Sequence, residues 1–318
     1  MKTNHENKIP LISVTGPTAS GKTGLGVTLA KHFDGEVISA DSMQIYKGLS
    51  IATAKPTEEE MRGIPHHLID FVPLDEEFSV ARFCEFGHEV IADIASRGKL
   101  PIICGGTGLY VDSLLNNIIF ADVPSDDALR NRLNAEFDGY GGDALLERLR
   151  NIDPETAQKL SPADKKRIVR GLEVYELTGT TLSEFSRRSR AFPDRYRTCI
   201  IGIGYRDRQK LYDRINLRVD IMLQDGLLEE VKHFYSENAG KTVIQAIGCK
   251  ELLPYLRGEQ TLGEAVENLK RETRRFAKRQ LTWFRRNDKI KWIYADELTS
   301  FNELAACAEN EIRSRLDL

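Results

Sequence analysis

Gly16, Pro17, Thr18, Ala19, Ser20, Gly21, Lys22 and Thr23 fit the pattern GxxxxGK(S/T). The glycines let the backbone curl so that successive N–H groups point at one anion, and a helix start adds its partial positive charge. Lys22 then reaches the phosphates, and the Thr23 hydroxyl is placed to ligate Mg²⁺. The match carries weight because an apolar run precedes it and a helical pattern follows. Such a cradle recognises diphosphate geometry rather than a nucleotide. ATP is its common occupant, but any phosphorylated leaving group suits it.

Two later segments come to the same rim. Asp41-Ser42-Met43-Gln44 follows a second apolar run. In an open parallel sheet ligands lie beyond the carboxyl ends of the strands, so Asp41 projects toward the diphosphate. A carboxylate there can ligate Mg²⁺, act as a general base, or cap the next helix. Gly105-Gly106-Thr107-Gly108 follows a third run, where glycines permit close backbone approach and Thr107 offers a hydroxyl. The adjacent pair His66-His67 points two ways on most backbones, which disfavours a bidentate metal site. It reads as structural or substrate-lining.

The elements that must position these residues follow from periodicity. Residues 11–15, 36–40 and 100–104 are short apolar runs that read as buried strands, while 23–33 and 80–96 carry helical spacing. Strand, glycine turn, helix and strand again predict an α/β fold with a P-loop NTPase-like parallel sheet. After residue 117 helix signals take over: Pro124-Ser125, Asp143, Asp153-Pro154 and Asp164 each resemble a cap or an early proline. Residues 199–203 return as a strand, so 121–197 reads as a helical insertion in a core made of 1–120 and 198–318. Leu211, Ile215, Val219 and Met222 recur at helical spacing, a long helix is expected over 262–284, and 290–294 reads as a last strand. Trp283 and Phe284, beside Leu281, read as core.

Composition narrows the partner class. The chain has 318 residues and a formal charge of −3, with no apolar run of bilayer length and no secretion signal. A cytoplasmic protein is expected. Five scattered cysteines without a CxxC pair argue against disulfides or zinc. Yet residues 270–286 hold eight basic residues against Glu272 alone, and 155–197 hold ten basic against six acidic. Two basic regions in a mildly acidic chain suit a polyanionic partner.

Taken together, the segments resemble the tRNA dimethylallyltransferases (isopentenylpyrophosphate:tRNA transferases). The series runs GPTASGKT at 16–23, SADSMQIY at 39–46, HHLID at 66–70 and GGTGLY at 105–110. It continues with KKRIVRGLEVYELTG at 165–179, LYDRINLRVDIML at 211–223, QAIGCKEL at 245–252 and TRRFAKRQLTWFR at 273–285. With no zinc-finger extension after it, the series looks like the bacterial form. Cys249 departs from it, since a tyrosine often follows QAIG there.

The resemblance implies that the cradle holds the diphosphate of dimethylallyl diphosphate, and that the acceptor is the N6 amine of adenosine-37 in tRNA. It implies Asp41 as general base, Thr107 at the tRNA contact, and Arg214 or Arg218, with preference for Arg218, on the diphosphate. It also sets Asp41, Ser42, Met43 and Gln44, together with Lys165, Lys166, Arg167, Ile168, Val169 and Arg170, against the tRNA. The expected cofactor is Mg²⁺ on Thr23, and a monomer is the default state. The chemistry agrees: a carboxylate accepts the proton of a weakly nucleophilic amine while cations stabilise the departing diphosphate. Two rivals share the cradle. One is a small-metabolite kinase using ATP, and the other is a non-catalytic RNA-binding NTPase; the basic helical regions would be idle in the first, and Asp41 in the second.

Overall fold

The computed structural model describes residues 8–116, 126–190, 193–236 and 241–318. Six strands form one sheet: β1 (Ile9–Thr15), β2 (Gly35–Ser39), β3 (His66–His67), β4 (Leu100–Gly105), β5 (Tyr196–Gly204) and β6 (Ile290–Tyr294). All pair in parallel, in the order β3-β2-β4-β1-β5-β6. Parallel neighbours cannot be joined by a tight turn, so the chain crosses over through helices, beginning with Lys22–His32 between β1 and β2.

Strands covered on both faces need continuous apolar runs rather than alternation, and β1, β2 and β5 supply them. Ile12, Val14, Ile102, Ile201 and Ile203 share one buried cluster with Leu25 and Leu29 of the first helix and with Leu304 and Ile312 of the helix Phe301–Leu316. The helix Val80–Ser96 packs on β2 and β4, with Phe83 stacked on Tyr110 at 4.2 Å between ring centroids. A separate cluster joins Ile45, Tyr46 and Leu49 to Val219, Val231, Leu252 and Leu269 of the later helices. It carries the long helix Leu262–Phe284, started by a capping box of Thr261 and Glu264.

The chain divides into two compact units, Met1–Leu115 with Arg195–Leu318, and Asn116–Asp194. The second is helical, with Asp127–Tyr140, Gly142–Ile152, Pro154–Ala157, Lys165–Thr178 and Leu182–Arg190. It buries its own core of Leu133, Leu146, Leu149, Ile168, Val169 and Leu172. The start expected at Pro124-Ser125 lies outside the described residues; the first helix here is capped by Asp126. Asp164 stands at the N-cap of Lys165–Thr178, but its carboxylate accepts from the Ser161 amide and hydroxyl instead of the helix amides. No helix among the described residues is long and apolar enough to cross a membrane.

Candidate functional site

A cavity of about 510 Å³ opens beyond the carboxyl ends of β1, β2 and β4, within the sheet-bearing unit. Thr18, Ala19, Lys22 and Thr23 form one wall, Asp41 to Gln44 a second, and Gly105 to Leu109 a third. Three segments far apart in sequence therefore meet at one rim, because each follows one of three adjacent strands.

Lys22 donates to the Pro17 carbonyl at 2.6 Å. Burial lowers its pKa from the usual 10.5 to about 8; nearby Arg218 pushes the same way, and Asp41 opposes them. Arg214 and Arg218 lie one helical turn apart on Arg208–Gln224 but do different things. Arg214 donates from Nε to the Ala19 carbonyl at 3.0 Å and so ties its helix to the cradle. Arg218 lines the cavity, where burial holds its guanidinium below the ordinary range.

Asp41 lies half-buried on the cavity wall, and its Oδ1 accepts the Met43 amide at 3.0 Å. The carboxylate thus both turns the chain and keeps lone pairs for another partner. Thr107 Oγ1 accepts the Ser42 amide at 3.0 Å, tying the third wall to the second. Gln44 lines the cavity but its amide is engaged within the fold: it accepts from Ser39 Oγ at 3.0 Å and donates to the Thr53 and Ala54 carbonyls at 3.2 Å. His66 also lines the cavity, whereas His67 Nε2 pairs with the buried Glu36 at 2.7 Å.

Two features escaped the sequence. Gln280 is buried and bridges the walls: its Oε1 accepts the Thr18 amide at 2.8 Å, and its Nε2 donates to the Gly106 carbonyl at 2.9 Å. Trp283 corrects an expectation, since only Phe284 is core. Trp283 lines the cavity and donates from its indole to Asp112 at 2.6 Å. Both side chains occupy space that glycines leave open. A Cβ on Gly106 would stand 2.2 Å from Gln280 Nε2, and one on Gly108 would stand 2.3 Å from Trp283 Cδ1. The remaining lining includes Ile69, Val219, Met222, Ile247, Leu269 and Phe276, so polar cradle and apolar wall share one space.

The basic stretch 165–170 lies in the helical unit. Ile168 and Val169, expected to touch tRNA, are 0% and 3% exposed in that unit's core, so their side chains pack rather than bind. Lys166 and Arg167 are exposed. Lys165 pairs with Asp138 at 2.6 Å. Arg170 and Arg130 meet at the buried Glu173, at 2.9 and 3.0 Å.

Among the described residues no group of three or more His, Cys, Asp or Glu side chains could hold a metal ion. The Thr23 hydroxyl and the Asp41 carboxylate do line the cavity. The Thr23 hydroxyl together with a diphosphate would suit Mg²⁺, which keeps several waters and takes substrate phosphates as ligands, and leaves the Asp41 carboxylate free for another role.

This geometry defines an α/β protein of the P-loop NTPase-like fold, with a second, helical unit inserted in its chain. The family profile described as IPP transferase matches residues 44–287. Curated relatives called tRNA dimethylallyltransferase are 51% identical over 292 residues in Acetivibrio thermocellus (91% of this chain, 93% of the relative). In Thermoanaerobacter sp. (strain X514) the figure is 49% over 300 residues (93% and 95%). The full-length tRNA isopentenylpyrophosphate transferase from Bacillus halodurans superposes with TM-score 0.72 and 41% identity, over 98% of this chain and 99% of that one. A eukaryotic dimethylallyltransferase acting on tRNA gives TM-score 0.81 and 32% identity, over 96% and 80%. The chain belongs to the tRNA dimethylallyltransferase (IPP transferase) family.

Proposed function

We propose that this protein transfers the dimethylallyl group of dimethylallyl diphosphate to the N6 amine of adenosine-37, beside the anticodon of tRNA, releasing diphosphate. One observation carries the reading beyond family membership. A cation-lined cradle, a carboxylate and an apolar wall share a single cavity, where a kinase of a small polar metabolite would have no use for the apolar wall.

The bond from C1 of the prenyl group to the diphosphate oxygen breaks, and a bond from N6 to C1 forms. The exocyclic amine is a poor nucleophile because its lone pair is delocalised into the ring. Asp41 accepts its proton as the new bond develops. Charge grows on the departing oxygens, where Lys22, Arg218 and the loop amides stabilise it, while Arg214 holds the loop in shape. Bound Mg²⁺, held by Thr23 with the diphosphate, would supply Lewis-acid stabilisation of the same oxygens. Apolar side chains such as Val219, Met222 and Leu269 receive the five-carbon tail.

The adenine cannot react while stacked, so it is flipped into the cavity. Lys166 and Arg167 of the helical unit, together with Arg170, hold stem phosphates. The enzyme acts in the cytoplasm as a monomer.

The test uses purified protein, Mg²⁺, radiolabelled dimethylallyl diphosphate and unmodified tRNA, with ATP consumption followed in parallel. Label in acid-precipitable RNA that vanishes when adenosine-37 is replaced supports the reading. ATP hydrolysis without label in any of several tRNAs refutes it in favour of a kinase.

A further inference from the structure

We propose that Gln280 is a positioning residue that sets the distance between the phosphate cradle and the wall carrying Asp41; the inference deepens the transferase reading and rests on it.

Gln280 is 5% exposed, on a helix whose other buried residues, Ala265, Leu269, Ala277 and Phe284, are all apolar. Burying an amide is costly unless both its ends are satisfied, and both are. The oxygen accepts the Thr18 amide, 262 residues away in sequence; the nitrogen donates to the Gly106 carbonyl, 174 residues away. Neither partner belongs to the helix Leu262–Phe284 that carries the glutamine. The bonds therefore do no local work. They connect two loops.

What they connect matters for the reaction. Thr18 is in the cradle, so one loop amide is held by protein and the loop is fixed at that point. Gly106 precedes Thr107, whose hydroxyl accepts the Ser42 amide, and Ser42 follows Asp41. Beyond the strand pairing, one path from leaving-group site to base is thus Thr18, Gln280, Gly106, Thr107, Ser42, Asp41, with each non-covalent step a hydrogen bond of 2.8 to 3.0 Å. The protein hydrogen bonds of Lys22 and Arg214 described above end on the cradle loop itself. Gln280 acts on the spacing between the cradle and the carboxylate, which N6 and C1 must span in line.

The absent Cβ of Gly106 makes the approach possible, since any side chain there would collide with Nε2 at 2.2 Å. A glutamine that merely filled space would not need its amide so close to that backbone.

The experiment compares the full-length protein with Gln280→Ala, Gln280→Met and Gln280→Glu, measuring kcat, donor KM, tRNA Kd and thermal unfolding. Methionine keeps the volume and loses both bonds. Glutamate keeps the acceptor for Thr18 and lacks the donor for Gly106 until it is protonated. The expected result is a fall in kcat of about 10²-fold for Ala and Met, the usual consequence of misplacement by about 1 Å, with tRNA Kd unchanged. For Gln280→Glu, activity relative to wild type rises as pH falls, because the protonated carboxyl regains its donor, whereas Gln280→Met, which removes both bonds without adding a charge, stays low at every pH. If Gln280→Ala does not fold, the Met and Glu variants decide. A folded Met variant with wild-type kcat and KM overturns the proposal, as does a Glu ratio that stays low at every pH, or a loss confined to tRNA affinity. Absence of transfer by the wild type itself would instead refute the underlying transferase reading.

Discussion

Replacing Asp41 by Asn changes one atom and separates the carboxylate's two tasks. Oδ1 accepts the Met43 amide at 3.0 Å, and an amide oxygen can accept that bond equally well. The turn through 41–44 should therefore persist, with Thr107 still on the Ser42 amide. What is lost is the proton acceptor and one negative charge. General-base catalysis is worth about 10²–10⁴-fold, or roughly 3–5 kcal/mol of barrier, and that is the expected loss in kcat. A secondary effect has a definite sign. Asp41 is among the groups that raise the Lys22 pKa against its burial, so the variant's lysine should lose its proton below the wild-type value of about 8. The assay is single-turnover transfer of labelled prenyl group under saturating tRNA, with tRNA Kd measured separately. A kcat loss under about tenfold, or a parallel weakening of tRNA binding, would refute the assignment of Asp41 as base.

Other outcomes test separate parts of the structure. Lys22 is charged below and neutral above its pKa of about 8, so kcat/KM for the diphosphate donor should fall as pH rises through 8; Lys22→Arg should remove that limb. Lys166→Ala should lower the slope of log affinity for tRNA against log salt by about 1, whereas Ile168→Ala should leave the slope alone and destabilise the helical unit by roughly 2–5 kcal/mol in chemical denaturation. Hydrogen bonds from Arg97, then His67, hold buried Glu36 down at about 2 despite burial. Its contribution to stability is present above the unfolded value of 4.5 and lost as pH falls toward 2, so Arg97→Leu should lower Tm at neutral pH more than near pH 2.

Local signals served the sequence reading well. The cradle, the strands preceding Asp41 and Gly105, and the helix Leu262–Phe284 are all written in short-range patterns of glycine, apolar runs and caps. Ile168 and Val169 show where a motif misleads: a contiguous basic stretch on a helix must turn part of itself inward, and the apolar pair is that part. Gln280 and Trp283 were beyond reach for a different reason. Their partners, Thr18, Gly106 and Asp112, lie more than 170 residues away, and nothing in helical spacing names which strand-end loop a helix will cross. Among the two arginines, spacing put both on one helix, and only packing gives one to the Ala19 carbonyl and the other to the cavity wall.

The fit of Gln280 and Trp283 over Gly106 and Gly108 has a consequence for how this chain can vary. Residues three apart on a helix meet residues two apart on a loop, and each large side chain stands where the opposing position has none. Neither side can change alone: enlarging a glycine demands a smaller partner, and shrinking the partner leaves a gap beside the reacting groups. Across relatives these four positions should therefore drift as two linked pairs or not at all, and an engineer enlarging the cavity for a bulkier prenyl donor would have to rewrite loop and helix together.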